Sequence, residues 1–283
     1  MFYIQHGSDN FTIIDCSIGD DNANRIIADI IEQKKGKNIV RFISTHPDED
    51  HIHGLERLDD KIDILNFYCV KNKVTKKDVT DSFTRYCTLR DDAKKAFYIE
   101  KGCKRKWMNE EGEGRGSSGI NILWPNPNNA ALKEALKCAE AGESPNNISA
   151  VISYSLDGGA TVLWMGDLET AFMESVQAEL DLPKVDILFA PHHGRDSGKV
   201  PEALLKKMSP KMIVIGEAPS QHLNYYQGYN TITQNSAGDI LFECATGEVH
   251  VFTSNKYTVG FLTNKGKSRS GYHYVGTLTV GTT

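Results

Sequence analysis

No stretch of this chain approaches the roughly 20 consecutive apolar residues that a membrane-spanning helix requires, so no membrane association is expected. Cysteine is sparse and scattered: Cys16, Cys69, Cys87, Cys103, Cys138 and Cys244 contain no CxxC pair. Reduced thiols and a cytoplasmic location are the corresponding expectations. The opening MFYIQHGSDN has neither a charged n-region nor an apolar h-region, so no signal peptide is expected. The glycine-rich GEGRGSSG is not GxxxxGK[ST] and follows nothing strand-like, which sets aside a phosphate-cradling loop and leaves a loop of high glycine content. A net charge of −5 gives no global attraction to nucleic acid or to an anionic membrane, so binding of that kind needs a local patch. Internal repeats and a clear linker are also missing. Residues 1–283 therefore read as one large domain, 40% hydrophobic and able to bury a sizeable core.

What is present is an alternation of strand and helix. FTIIDCS (11–17) reads as a strand, and Ile26, Ile27, Ile30 and Ile31 have the one-face spacing of an amphipathic helix. Asp20, Asp21 or Asn22 can cap its start and Gly36 suits its end. IVRFIS (39–44) is a short apolar strand that runs into THPDEDHIHG. IDILNFYCV (62–70) is another strand, and residues 71–118, irregular and charged, read as an insertion over the core. Strand NILWP and a helix at 130–141 follow. Then come a hairpin turning at Gly158-Gly159, a helix at 168–180, strand VDILFA, a helix at 201–208 and strand KMIVIG. DILFEC, EVHVFT, YTVGFL and YHYVGTLTV complete the chain as strands.

Three apolar strands each deliver metal-type ligands into a polar loop: IVRFIS before HPDEDH, TVLWMG before Asp167, and VDILFA before His192-His193. In an extended loop His46, Asp48 and Asp50 share one side, with His51 turned toward a neighbouring position. The set offers donors for two divalent cations, with Asp167 as the natural carboxylate bridge. Two cations about 3.5–4 Å apart can clamp the attacking and leaving oxygens of a displacement at phosphorus. Taken alone, Asp167 also has the position of a helix N-cap before LETAF. His53 reads as a solvent-facing or supporting residue, and His6, His250 and His273 as structural. The lysines at 71–77 and 101–106 read as solvated faces, or else as contacts to a phosphate backbone. Trp107 and Trp124 read as core residues rather than base-stacking platforms.

HPDEDHIHG, the GD of VLWMGD and APHHG, in this order and spacing, resemble the metallo-β-lactamase superfamily, and within it the hydrolase domain of ComEC-type DNA-uptake proteins. Asp48 stands where the usual HxHxDH has histidine, and Pro145-Asn146-Asn147-Ile148-Ser149 matches the asparagine-serine segment of that group. The resemblance implies an α/β fold, a four-layer αββα sandwich, and two divalent metal ions, zinc or manganese. It implies His46, Asp48 and Asp167 at one metal, and Asp50, His51, Asp167 and His192 at the other, with His193 the less favoured of its pair. His222 falls where the family places a late histidine near the substrate phosphate. Asn147 stands where the superfamily has a further histidine ligand, and the family's opening strand has no clear match before Phe2. The implied function is hydrolysis of a phosphodiester by a metal-bound hydroxide, in a nuclease or nucleotide phosphodiesterase with DNA or RNA among the substrates. Asp50, His51, Asp167 and His222 are the implied catalytic residues. A small-ester hydrolase (phosphocholine-type diester, thioester or lactone) and a degenerate binding or sensor protein are the alternatives.

Overall fold

The computed structural model describes residues 1–216, 221 and 224–281 and divides the chain into two compact units, Met1–Val151 and Ile152–Thr283. In the first, β1 (Phe2–Gln5), β2 (Asn10–Ile14), β3 (Cys16–Ser17), α1 (Ala23–Gln33) and β4 (Ile39–Ser44) lead to the first ligand loop. After it come α2 (Glu49–Ile52), α3 (Leu55–Ile62), β5 (Asn66–Cys69), α4 (Asp81–Asp91), β6 (Ala96–Tyr98), β7 (Ile120–Trp124) and α5 (Ala130–Glu140). Five strands form a sheet in the order β1-β2-β4-β5-β6, parallel except for the β1–β2 pair. IVRFIS makes β4 because its β-branched and aromatic residues suit a strand in the middle of a parallel sheet, where both faces are covered. All its residues but Val40 are buried. In α1 the isoleucine stripe is only partly inward: Ile30 is buried, while Ile31 faces solvent.

A strand that the sequence pattern did not mark, β1, pairs with β2 over Phe2–Gln5. The stretch read as irregular is in part regular. Residues 81–98 supply α4 and β6, and Phe83, Tyr86 and Leu89 of α4 join Phe42, Phe67 and Val74 in the core. Phe42 stacks on Phe67 at 5.6 Å, and Tyr86 meets Phe67 edge-on at 5.5 Å. The irregular stretch that remains, 99–119, is pinned by buried Arg41 of β4. Its guanidinium donates to Asn10 Oδ1 (3.3 Å), Thr12 Oγ1 (3.1 Å), the Trp107 carbonyl (3.2 Å) and Ser118 Oγ (3.4 Å). His6 joins this polar cluster through Thr12 Oγ1 at 3.0 Å. Burial first, and then the charges of Arg41 and Lys37, lower the His6 pKa from 6.5 to about 3, so the ring is neutral in the fold.

The boundary of the second unit falls at the start of β8 (Val151–Ser155). There follow β9 (Thr161–Trp164), α6 (Thr170–Val176), β10 (Ile187–Phe189), α7 (Glu202–Met208), β11 (Met212–Ile215), β12 (Thr231–Thr233) and α8 (Gln234–Ala237). Strands run in the order β12-β11-β10-β9-β8, parallel up to β9 and antiparallel at the β8–β9 hairpin. Strands β13 (Ile240–Ala245), β14 (Glu248–Thr253) and β15 (His273–Thr279) make a separate antiparallel meander. YTVGFL (257–262) is not a strand, contrary to its alternating pattern. β15 takes the place beside β14, which leaves that segment without a ladder. Trp124 is fully buried, as a core residue should be. No helix among the described residues is long and apolar enough to cross a membrane. This mixed α/β make-up, with parallel and antiparallel sheets, agrees with the fold that the sequence resemblance implies.

Candidate metal centre

The first ligand loop leaves β4 at Thr45, and it is not extended. Glu49–Ile52 winds into α2, so the expected alternation through Asp48 and Asp50 does not occur. The cause is Asp48, whose Oδ1 accepts the Glu49 N–H at 2.9 Å and caps the helix. Acidic Glu49 and Asp50 in the first turn complement its positive end. Bridges Cys16–Ile52 and Ser17–His53 tie α2 to β3. Gly54, at φ +75°, permits this closeness, since a Cβ there would lie 2.5 Å from the Ile18 carbonyl oxygen.

His46 and His51 are buried with ring centroids 4.2 Å apart, while Asp50 and His53 are exposed. The loop is organised by a residue that sequence reasoning missed. Asp15, buried just past the end of β2 at φ +54°, accepts from Thr45 N (2.7 Å) and Thr45 Oγ1 (2.6 Å). Its Oδ2 also lies 2.8 Å from His51 Nδ1. A proton on Nδ1, shared with that carboxylate, leaves Nε2 as the lone-pair nitrogen, which is how a carboxylate commonly orients a metal-binding histidine. The only sequence signal was an acidic residue closing the apolar run FTII.

Asp48 is engaged differently. Besides capping α2, its Oδ1 accepts from Lys76 Nζ at 3.1 Å. Asn147 is half-buried on a short 3-10 turn at 146–148, and neighbouring Asn146 is buried. The two residues that follow the turn, Ser149 and Ala150, are buried, and Ala150 N donates to the Thr45 carbonyl at 3.0 Å.

In the second unit the chain leaves β9 through Met165 and Gly166 to Asp167, which is buried. Asp167 is not a helix cap: Glu169 holds that position for α6. His192 and His193 follow β10 on a tight turn, each with its Nε2 3.8 Å from Asp167 Oδ2. Both have left-handed backbones, φ +50° and +57°, a conformation non-glycine residues seldom adopt and one that clusters at functional sites. His192 N donates to the Gly166 carbonyl at 3.0 Å, which couples the two ligand segments. His192 Nδ1 lies 2.9 Å from Ser197 Oγ. Burial lowers the His192 pKa; Asp167 opposes this, and Arg195 and His193 reinforce it. A neutral imidazole is the form that binds metal. His222 lies outside the described residues. His6 and His250 are buried on hydroxyls of Thr12 and Thr277, and His273 is exposed on β15.

The family model of the metallo-β-lactamase superfamily matches residues 1–194, about two thirds of the chain, including His46 to His51, Asp167 and His192-His193. The chain belongs to the metallo-β-lactamase superfamily. That superfamily consists mostly of metal-dependent hydrolases. No curated protein matches the chain significantly. Each unit carries side chains of the kinds that hold a divalent metal: Asp50 and His51 in the first, and Asp167, His192 and His193 in the second. Carboxylates and imidazoles fit zinc or manganese.

Proposed function

We propose that this chain is a metal-dependent phosphodiesterase acting on nucleic acid or a nucleotide, with Asp50 and His51 among the ligands of a divalent cation. The observation that carries the hydrolase reading is the 2.8 Å contact between Asp15 and His51 Nδ1, which aims a buried histidine as a ligand. A divalent cation held there would supply Lewis-acid activation of a substrate oxygen and of water.

The chain's own groups do the rest. Asp15 and Thr45 fix the tautomer and tilt of His51, and Asp167 supplies a buried carboxylate beside two imidazoles. Burial holds His192 unprotonated near neutral pH. The phosphodiester preference rests on donor chemistry. Asp50 and Asp167 make the set harder than one of histidines and thiolates, which suits phosphate oxygen and manganese. Resemblance to ComEC-type domains supports nucleic acid as the substrate class.

The test compares wild type with Asp50→Ala on linear DNA, RNA and bis(p-nitrophenyl) phosphate with added manganese. We expect cleavage of a polymer and of the small diester by wild type, and loss of both in the variant. Cleavage of the small diester alone would favour a small-ester hydrolase. Equal activity in Asp50→Ala would refute the ligand assignment. Failure to bind either zinc or manganese would leave only a binding or sensor role.

A further inference from the structure

We infer that the ammonium of Lys76 replaces the first metal of the family's pair, so that this chain takes up one divalent cation rather than two; this rests on the hydrolase reading above. The resemblance assigns His46 and Asp48 to that first metal, and Asp48 does not fit the task. A single oxygen, Oδ1, accepts both the Glu49 N–H at 2.9 Å and the Lys76 ammonium at 3.1 Å. A divalent cation at this carboxylate would sit against a fixed positive charge and compete for an oxygen already used twice.

Lys76 is not a lysine that can simply swing away. Its side chain is 16% exposed, against 40% for Asp48, and its ammonium lies 5.3 Å from the Phe83 ring centroid. The segment that carries it is held at both ends. Val74 is in the core, and Thr75 bonds α5 twice, through its N–H to the Ala139 carbonyl (3.3 Å) and its hydroxyl to the Glu140 carbonyl (2.8 Å). At the other end Thr80 caps α4, accepting the Phe83 N–H at 3.0 Å, and donates to Glu49 Oε2 at 2.9 Å. Asp48 and Glu49 are thus gripped by Lys76 and Thr80 from one short stretch. That geometry gives the carboxylate its counter-charge without a metal. The same ammonium supplies a fixed positive charge at the loop, the kind of group that pairs with a phosphate oxygen as a point charge.

The test is metal stoichiometry, read by elemental analysis and native mass spectrometry on the full chain saturated with zinc or manganese. Asp48→Asn is chosen because asparagine still caps the helix. Lys76→Met keeps the stem beside Phe83 and removes the charge. We expect one equivalent in wild type, one in Asp48→Asn, less than one in Asp50→Asn, and a second equivalent gained by Lys76→Met. Two equivalents in wild type that fall to one in Asp48→Asn would overturn the inference while leaving the hydrolase reading standing. One equivalent in Lys76→Met would overturn the role given to Lys76. A wild type that binds no metal would overturn the hydrolase reading, and this inference with it. Circular dichroism of each variant separates lost sites from lost folding.

Discussion

The loop at 45–54 holds its ligands with side chains, whereas the loop at 191–198 holds them with its backbone. In the first, Asp15 spends both carboxylate oxygens on Thr45 and His51, Asp48 caps α2, and Thr80 and Lys76 restrain the start of the helix. In the second, two successive histidines adopt left-handed backbones, and the chain folds back until Gly198 lies against Pro191 and His192. A Cβ on Gly198 would lie 2.4 Å from His192 Cβ and 2.8 Å from the Pro191 carbonyl oxygen. Ligands held by side chains are sensitive to the charge of one partner, and ligands held by backbone are sensitive to the volume of one residue. Single substitutions can therefore break each loop by its own route.

The largest effect is expected at Asp15. Asp15→Asn keeps an acceptor and tolerates the left-handed backbone at φ +54°, but removes the charge that holds the Nδ1 proton of His51. Metal affinity should fall by about 10–100-fold, as when other outer partners of metal-bound histidines are lost. Competition against a chelator measures it, and an unchanged affinity would mean that Asp15 merely braces Thr45. Next is Gly198→Ala. The added methyl meets backbone atoms that cannot yield, so we expect about 1–3 kcal/mol of destabilisation, the usual range for overpacking. Urea unfolding reads this directly. A variant as stable as wild type would show that the second loop is more compliant than its backbone suggests.

This contrast also explains what the sequence made legible. Strands with strong apolar identity were plain: IVRFIS is β4 and EVHVFT is β14, residue for residue. The ligand loops were legible because histidine and aspartate cluster after such strands. Asp15 was not, because a lone acidic residue after FTII looks like a strand end until the parallel β2–β4 pairing brings it beside Thr45. Lys76 was hidden for a different reason. KNKVTKK offers four lysines, and only the packing of Val74, the Thr75 bonds to α5 and the Thr80 cap of α4 select the one that reaches Asp48. α4 escaped notice because DSFTRYCTLRD mixes its apolar positions with charge, although Phe83, Tyr86 and Leu89 are three apart and buried. The YTVGFL alternation misled because a strand needs a neighbour as well as a pattern.

The smallest effect separates the two units by pH. His6 belongs to the first unit, where burial beside Arg41 and Lys37 takes its pKa from 6.5 down to about 3. Between those values the unfolded chain binds a proton that the folded chain refuses. Stability is therefore complete above about pH 6.5 and is lost as pH falls toward 3, with a slope of up to about 1.4 kcal/mol per pH unit from this group. Acidification from pH 6.5 to 5 should then cost up to about 2 kcal/mol, and His6→Gln, neutral throughout, should flatten that slope. Hydrogen exchange localises the loss: protection in β2 and β4, which flank the His6–Thr12–Arg41 cluster, should fall before protection in β10 and β11. If both sets of amides lost protection together, or if His6→Gln kept the wild-type slope, acid sensitivity would belong to other groups and the contrast between the units would not extend to pH.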